Sequence, residues 1–207
     1  ALPGAQDKMA VLIAPTGAIA IPLEDAPSSH IVKPSMDRRV HLPQTAIDEA
    51  LVMGLAAAIG IDVAPVRYAP DLDAVVIARY DRQWVDGDLQ RLHQNDLCQT
   101  LGIEPGRKHE SEGGPTLPMC CAAVMQHSSK PALDKKRMLE WAVCNVAVGN
   151  MDSHAKNLSL LATGGHTRLA PFYDLVCTTV YEHLSRRFAF KIGGESRPGW
   201  IMGRHWD

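Results

Sequence analysis

The chain has 207 residues, 46% hydrophobic and 21% charged, with a formal net charge of -2. That length buries about 70% of the unfolded surface without a disulfide or metal staple, and the composition excludes intrinsic disorder as the main state. The near-neutral charge and 5% aromatic content exclude a global basic field for nucleic acid and a base-stacking platform, and no apolar run nears the roughly 20 residues of a membrane span.

The N-terminal ALPGAQDK has the pattern of neither a signal nor a transit peptide. The five cysteines (Cys98, Cys120, Cys121, Cys144 and Cys177) are odd in number, include an adjacent pair and form no C-x-x-C. This points to a reducing, cytoplasmic compartment and not to a disulfide framework. Nine histidines are present, but with no H-E-x-x-H and no Cys/His pair at zinc spacing, so no structural zinc is expected.

Met9 to Ala14 reads as a strand, Pro15-Thr16-Gly17 as a turn, and Ala18 to Pro22 as the returning strand. His30 to Lys33 is a third strand, stopped by Pro34. Thr45 and Asp48 fit a capping box for a helix whose inner face is Ile47, Leu51, Gly54, Leu55, Ala58 and Ile59, ended by Gly60. Val63–Tyr68 and Val75–Tyr80 read as two further strands. The division is therefore into residues 1–81, a small lobe with an antiparallel sheet and one helix, and residues 82–207, mainly helical. Residues 103–118, rich in Gly and Pro, read as a mobile surface loop. Leu133 to Val148 reads as a helix whose second half is apolar on nearly every side and hence buried.

The sequence GNMDSHAKNLSLL follows this helix. Gly149 and Asn150 break it, Asp152 and Asn157 stand in the spacing D-x-x-x-x-N, and a hairpin of Leu158–Leu161 with Thr167–Ala170 precedes Asp174. Phosphoryl transfer to a hydroxyl needs this layout. One Asp orients the acceptor and takes its proton, while an Asn five residues on and a second Asp across a hairpin hold magnesium. Antiparallel strands return the chain to its start and bring residues 152, 157 and 174 together. Carboxylate and amide oxygens are the hard ligands that Mg²⁺ prefers. Lys33 at a strand end and Glu49 early in the next helix fit the Lys–Glu pair that holds ATP phosphates. Gly4-Ala5-Gln6 stands where a phosphate-covering loop belongs.

LPGAQDK, HIVK, RYDR, NMDSHAKN, APFYDL and KIGGE together resemble the HipA family of serine/threonine kinases, the toxins of bacterial toxin–antitoxin pairs. The resemblance covers nearly the whole chain. It implies an α+β, bilobal, protein-kinase-like fold with a small antiparallel-sheet N-lobe and a mainly helical C-lobe. It also implies that Asp152 is the catalytic base and that Asn157 and Asp174 are Mg²⁺ ligands. Lys33 would bind the α/β-phosphates and pair with Glu49. Pro3, Gly4, Ala5, Gln6, Asp7 and Lys8 would form the nucleotide loop, and Ala78, Arg79 and Tyr80 the hinge beside adenine, with Asp81 near the ribose. His154 and Lys156 would flank the triphosphate, and Tyr173 would border the nucleotide. For His154, a second reading as a stiffener of the catalytic loop stands alongside. ATP and Mg²⁺ are the implied cofactors. A protein substrate such as an aminoacyl-tRNA synthetase and a DNA-binding antitoxin of the HipB type are the implied partners, with no direct nucleic-acid or membrane contact.

Three departures from the family pattern stand out. Ala1 occupies the place of a loop Ser that family members can autophosphorylate. The chain begins at the nucleotide loop and ends soon after Trp200, so it reads as a fragment of a longer protein, with Met202–Trp206 beginning a helix that is cut short. A small-molecule phosphotransferase shares D-x-x-x-x-N but has no need of GAQ-x-K. An inactive, antitoxin-docking pseudokinase is opposed by the intact Lys33, Asp152, Asn157 and Asp174.

Overall fold

The computed structural model describes residues 7–36 and 42–206. The first lobe is a five-stranded antiparallel sheet in the order β2-β1-β3-β5-β4. It is built from β1 (Met9–Ile13), β2 (Ile19–Ala20), β3 (His30–Pro34), β4 (Val66–Ala69) and β5 (Ala74–Ala78). Gly17, at φ 86, closes the first hairpin, a backbone angle that favours glycine. Strand β5, AVVIA, lies between β3 and β4 and under helix α1 (Thr45–Ala58), which is why its residues are buried without alternation.

Helix α1 has the expected period but the opposite phase. Ala46, Glu49, Val52, Met53 and Ala56 face the core, while Leu51, Leu55 and Ile59 are 66%, 53% and 64% exposed. Apolar residues lie on nearly every side, so hydrophobicity alone leaves the phase open, and the buried ion pair of Glu49 fixes it. The capping box is also absent. Gln44, at φ 60, is the N-cap without a side-chain bond. The Thr45 hydroxyl accepts from Met36 N, and the Asp48 carboxylate from Cys177 N.

After Asp81 come strands that the sequence reading did not expect. β6 (Arg82–Val85) and β7 (Asp88–Arg91) form a hairpin about Asp86 and Gly87, both at positive φ. β8 (His93–Asp96) joins β9 (Ser159–Thr163) and β10 (His166–Leu169) in the order β10-β9-β8. The helices of this lobe are α2 (Leu97–Thr100), capped by Asp96, α3 (Leu117–His127), capped by Thr116, and α4 (Pro131–Val148). In α4, Met138, Trp141, Ala142, Cys144 and Asn145 are buried, whereas Leu133, Leu139 and Val143 are exposed. Only one side of α4 meets the core, not the whole circumference. The end of the described chain, Gly203–His205, is a 3-10 turn and not the start of an α-helix.

One apolar cluster runs through both lobes, from Met53, Val75 and Ile77 to Trp141, Leu158 and Phe172. Burial of each large member stabilises the fold by about 2 kcal/mol. The lobes are stitched at Phe172, whose N–H donates to Asp62 O at 2.9 Å and whose carbonyl accepts from Ala64 N at 2.8 Å. Phe172 therefore fixes the position of the next two residues, Tyr173 and Asp174, against the first lobe.

Candidate active site

A cleft of about 1300 Å³ opens between the lobes. Lys33, on β3, is its most buried cation at 5% exposure. Its Nζ lies 2.8 Å from Glu49 Oε1 on α1 and also pairs with Asp174 Oδ1, 141 residues along the chain. Burial opposes the charge on Lys33, but the two carboxylates outweigh it and raise its pKa. Burial likewise works against Asp174, yet the Lys33 ammonium holds its carboxyl below the ordinary range. Glu49 is pushed up by burial, with Asp174 alongside and Lys33 opposing. One buried cation is thus shared by two carboxylates, with Lys8 and Lys156 lining the same cleft.

The segment from Gly149 to Asn157 owes its shape to the end of α4. Gly149 is left-handed at φ 74, and a Cβ there would lie 2.5 Å from Thr179 Oγ1. Both the angle and the space demand glycine. Thr178 Oγ1 accepts from Met151 N at 2.8 Å and donates to Gly149 O at 3.1 Å. Asp152 projects from this loop with 56% of its side chain exposed. His154 N donates to Asn157 Oδ1 at 3.0 Å, and Asn157 Nδ2 donates to Asp174 Oδ2 at 3.2 Å. Asp174 is itself left-handed at φ 56, an uncommon conformation that Asp tolerates better than most residues. Its carbonyl accepts from Asn150 Nδ2 at 3.3 Å.

His154 is buried, and burial, reinforced by Lys108 and His109, drives its pKa down to about 4 against the pull of Asp152. The neutral ring accepts from Lys108 Nζ through Nε2 at 2.8 Å. Lys156 lines the cleft, and its carbonyl accepts from Tyr173 OH at 2.6 Å. The Tyr173 ring stacks on Tyr80 with centroids 5.6 Å apart, and burial holds its hydroxyl well above the ordinary tyrosine pKa. At the hinge, Ala78 N donates to Pro65 O and Arg79 N to Ser29 O. Asp81 is engaged by protein: Arg79 donates to both its oxygens, and Arg82 and Gln94 donate to Oδ2. Lys8 enters the cleft, its pKa lowered by burial and by Lys33 nearby. Asp7 is exposed at the start of the described chain. Pro3, Gly4, Ala5 and Gln6 lie outside the described residues.

The segment 103–118 is the surface loop expected from its composition, and it is tied down at Glu110. Glu110 N donates to Ala189 O at 3.1 Å, and Glu110 Oε2 accepts from Lys191 N at 2.9 Å. So anchored, the segment brings Lys108 and His109 to Asp152. Lys108 Nζ stands 3.6 Å from Asp152 Oδ1, and His109 Nε2 stands 3.0 Å from the same oxygen. His109, Asp152 and His154 place ligand-type atoms within 4.8 Å of one another, but the Lys108 ammonium already supplies positive charge beside them. Asn150, read from sequence as a helix breaker, is 1% exposed and bonded to both halves of the site.

Among the described residues, no helix is long and apolar enough to cross a membrane. Residues 1–206 match the model of the HipA-like C-terminal domain. The chain is 43% identical over 195 residues to "Putative kinase Y4mE" of Sinorhizobium fredii, covering 93% of this chain and 46% of that protein. It is 31% identical over 192 residues to "Serine/threonine-protein kinase toxin HipA" of Shewanella oneidensis, covering 84% and 42% respectively. Among solved structures, it is similar to the complex of Shewanella oneidensis HipA with HipB and operator DNA. That match has a TM-score of 0.86 and 27% identity and covers 99% of this chain and 50% of that one. The Helicobacter pylori proinflammatory kinase CtkA shares the fold at a TM-score of 0.55 and 15% identity, covering 84% and 55%. Fold class and relatives agree on an α+β, bilobal, kinase-like architecture. The chain spans about half the length of the curated relatives it matches. With a two-lobed fold, a cleft centred on Lys33, Glu49 and Asp174, and a family model matched along nearly its whole length, the chain belongs to the HipA-like C-terminal domain family.

Proposed function

We propose that this chain is the phosphoryl-transfer core of a HipA-like serine/threonine protein kinase toxin, acting on ATP and a protein hydroxyl. The observation that carries the reading is the buried Lys33 held between Glu49 and Asp174, with Asn157 on the second carboxylate. A cation and two hard-oxygen side chains are what a nucleotide triphosphate and its metal require.

The donor set fits Mg²⁺. Asp174 offers carboxylate oxygens, and Asn157 Oδ1 keeps a second lone pair beyond its bond to His154 N. Bound there, Mg²⁺ would neutralise charge on the phosphates. Lys33 binds α/β-phosphate oxygens. Lys8, with Pro3–Asp7, covers the phosphates, and Ala78–Asp81 with Tyr173 borders the base and sugar. Lys156 and His154 flank the γ-phosphoryl. Asp152 orients the acceptor hydroxyl and takes its proton. The acceptor oxygen forms its bond to the γ-phosphorus as the bridging bond to the β-phosphate breaks and ADP leaves with the electron pair. The cleft exceeds the roughly 300–1000 Å³ of a small-ligand site, leaving room for an acceptor segment.

In this reading, residues 1–81 and 82–207 are the two lobes about the hinge, and the whole protein is cytoplasmic. A protein of the aminoacyl-tRNA synthetase class serves as substrate, and an antitoxin of the HipB type as partner. The partner assignment draws support from the neighbouring structure, a complex of HipA with HipB and operator DNA.

The test pairs nucleotide binding with transfer in the full-length protein. ATP with Mg²⁺ should raise the melting temperature, since a ligand at a hundredfold excess over its Kd stabilises by about 2.7 kcal/mol. Asp174→Ala should abolish that rise. Asp152→Asn should keep it and lose label transfer from γ-labelled ATP to lysate protein by roughly 10²–10⁴-fold. Equal transfer by Asp152→Asn and parent would refute the assignment.

A further inference from the structure

We propose that His109 is a positioning residue for phosphoryl transfer, fixing the carboxylate of Asp152 in the orientation that receives the acceptor hydroxyl. The inference rests on the reading of Asp152 as the base. It arises from a segment 43 residues upstream of Asp152 that sequence motifs did not mark.

The Asp152 side chain is 56% exposed, and its backbone tether to Asn150 does not fix the carboxylate rotamer. A freely rotating base is a poor one, because a reacting pair must be held near 3 Å with aligned orbitals. Lys108 Nζ stands 3.6 Å from Asp152 Oδ1, beyond hydrogen-bond distance, and His109 supplies the closer constraint. Its Nε2 meets Asp152 Oδ1 at 3.0 Å, and its Nδ1 meets Glu112 Oε2 at 3.0 Å. The imidazole also packs edge-on against His154, with ring centroids 5.4 Å apart. Donation from Nε2 to Asp152, with the His154 ring alongside, ties the imidazole to the base; both carboxylates accept together only when the ring carries both protons.

The bond is to Oδ1 alone. Asp152 Oδ2 stands 3.9 Å from His154 Nε2, beyond hydrogen-bond distance. That oxygen is left to accept the hydroxyl proton. An ionised carboxylate has about four lone-pair sites, so one bond from His109 to Oδ1 orients the group and leaves Oδ2 open to the acceptor.

The support beneath His109 is built for the purpose. Glu112 N and Gly114 N both donate to His109 O, at 3.1 and 2.9 Å, closing a tight turn. Glu110 pins that turn to Lys191 and Ala189, and Ala189 N donates to Met151 O beside Asp152. The imidazole and the base it orients therefore belong to one hydrogen-bonded frame.

The test compares His109→Ala, His109→Gln and Asp152→Asn in the full-length protein. Transfer from γ-labelled ATP to a bacterial lysate is followed, together with ATP binding in Mg²⁺. His109→Ala should lower kcat by about 10²-fold, the scale of a misplaced reacting group, with the Kd for ATP unchanged. His109→Gln, whose amide can donate at the Nε2 position, should recover most of the loss. Added imidazole should raise the rate of His109→Ala but leave Asp152→Asn unmoved. Parental kcat in His109→Ala, while Asp152→Asn is inactive, would overturn the proposal and leave the kinase reading standing. A faster His109→Ala would show that the contact restrains the base, and would overturn it as well. Equal rates for Asp152→Asn and parent would remove the base itself, and with it this inference.

Discussion

Asn150 Nδ2 lies 2.7 Å from Asn145 Oδ1, one buried carboxamide bonded to another across the end of α4. Asn145 is oriented in turn by its own bond from Nδ2 to Trp141 O at 2.8 Å. Asn150 then reaches both halves of the site, accepting from Asp152 N at 3.2 Å and donating to Asp174 O at 3.3 Å. The register of Asp152 and Asp174 is thereby referred to the core helix.

Asn150→Ala should therefore cost both stability and activity. It strands Asn145 Oδ1 and Asp174 O in a site 1% exposed at Asn150. An unsatisfied buried polar group costs about 1–3 kcal/mol. Chemical denaturation should show a loss of that size, and kcat should fall further than the affinity for ATP. An unchanged denaturation midpoint together with parental kcat would show that the amide chain carries neither role.

A second prediction concerns Asp134, fully buried in the first turn of α4. Burial opposes its charge. Two bonds from Arg168, the Ser128 hydroxyl, Leu169 N and Arg137 outweigh burial and hold the carboxyl well below its ordinary value. Because the folded value is depressed, the stabilisation is complete above the unfolded value of 3.8 and is lost as pH falls through the folded value. Removing one partner from a buried pair costs about 3 kcal/mol. Asp134→Asn should lose about that much at pH 7 in urea denaturation and should show a shallower acid limb than the parent. Parallel acid limbs in the two proteins would rule out Asp134 as the titrating group.

The contrast between these residues and the rest shows what a sequence can carry. The hairpin of β9 and β10 and the strands of the first sheet were legible, because period-2 runs bounded by Pro and Gly have few alternative pairings. The spacing of Asp152, Asn157 and Asp174 was legible because a rigid loop followed by a hairpin brings those positions together. The phase of α1 was not, since an ion pair decided it where apolar residues offered both faces. The Asp86-Gly87 turn is a strong hairpin signal, but the strands on either side of it are only four residues long and mostly polar. Lys108, His109 and Glu112 were hidden because a Gly/Pro-rich, charged segment has the composition of a mobile loop. What orders it is tertiary: bonds to Lys191 and Ala189, some 80 residues downstream.

The last prediction uses that segment's glycines as a matched pair. A Cβ added at Gly114 would lie 2.3 Å from Arg107 O and 2.6 Å from His109 O, both backbone atoms that cannot swing aside. Gly114→Ala must therefore open the turn that carries Lys108 and His109 and draw them from His154 and Asp152. Gly106, eight residues earlier in the same segment, has nothing within 4 Å of its added Cβ. Gly106→Ala removes the same backbone freedom without the collision. Gly114→Ala should reproduce most of the kcat loss of His109→Ala, about 10²-fold, with ATP still bound. Gly106→Ala should remain within about twofold of the parent, because a substitution compatible with the native backbone changes stability by under 1 kcal/mol. Both variants would be assayed below their melting temperatures, so that a difference reports the turn and not unfolding. Parental kcat in Gly114→Ala would mean that the turn can relax without moving His109, and would break the link between this glycine and the base.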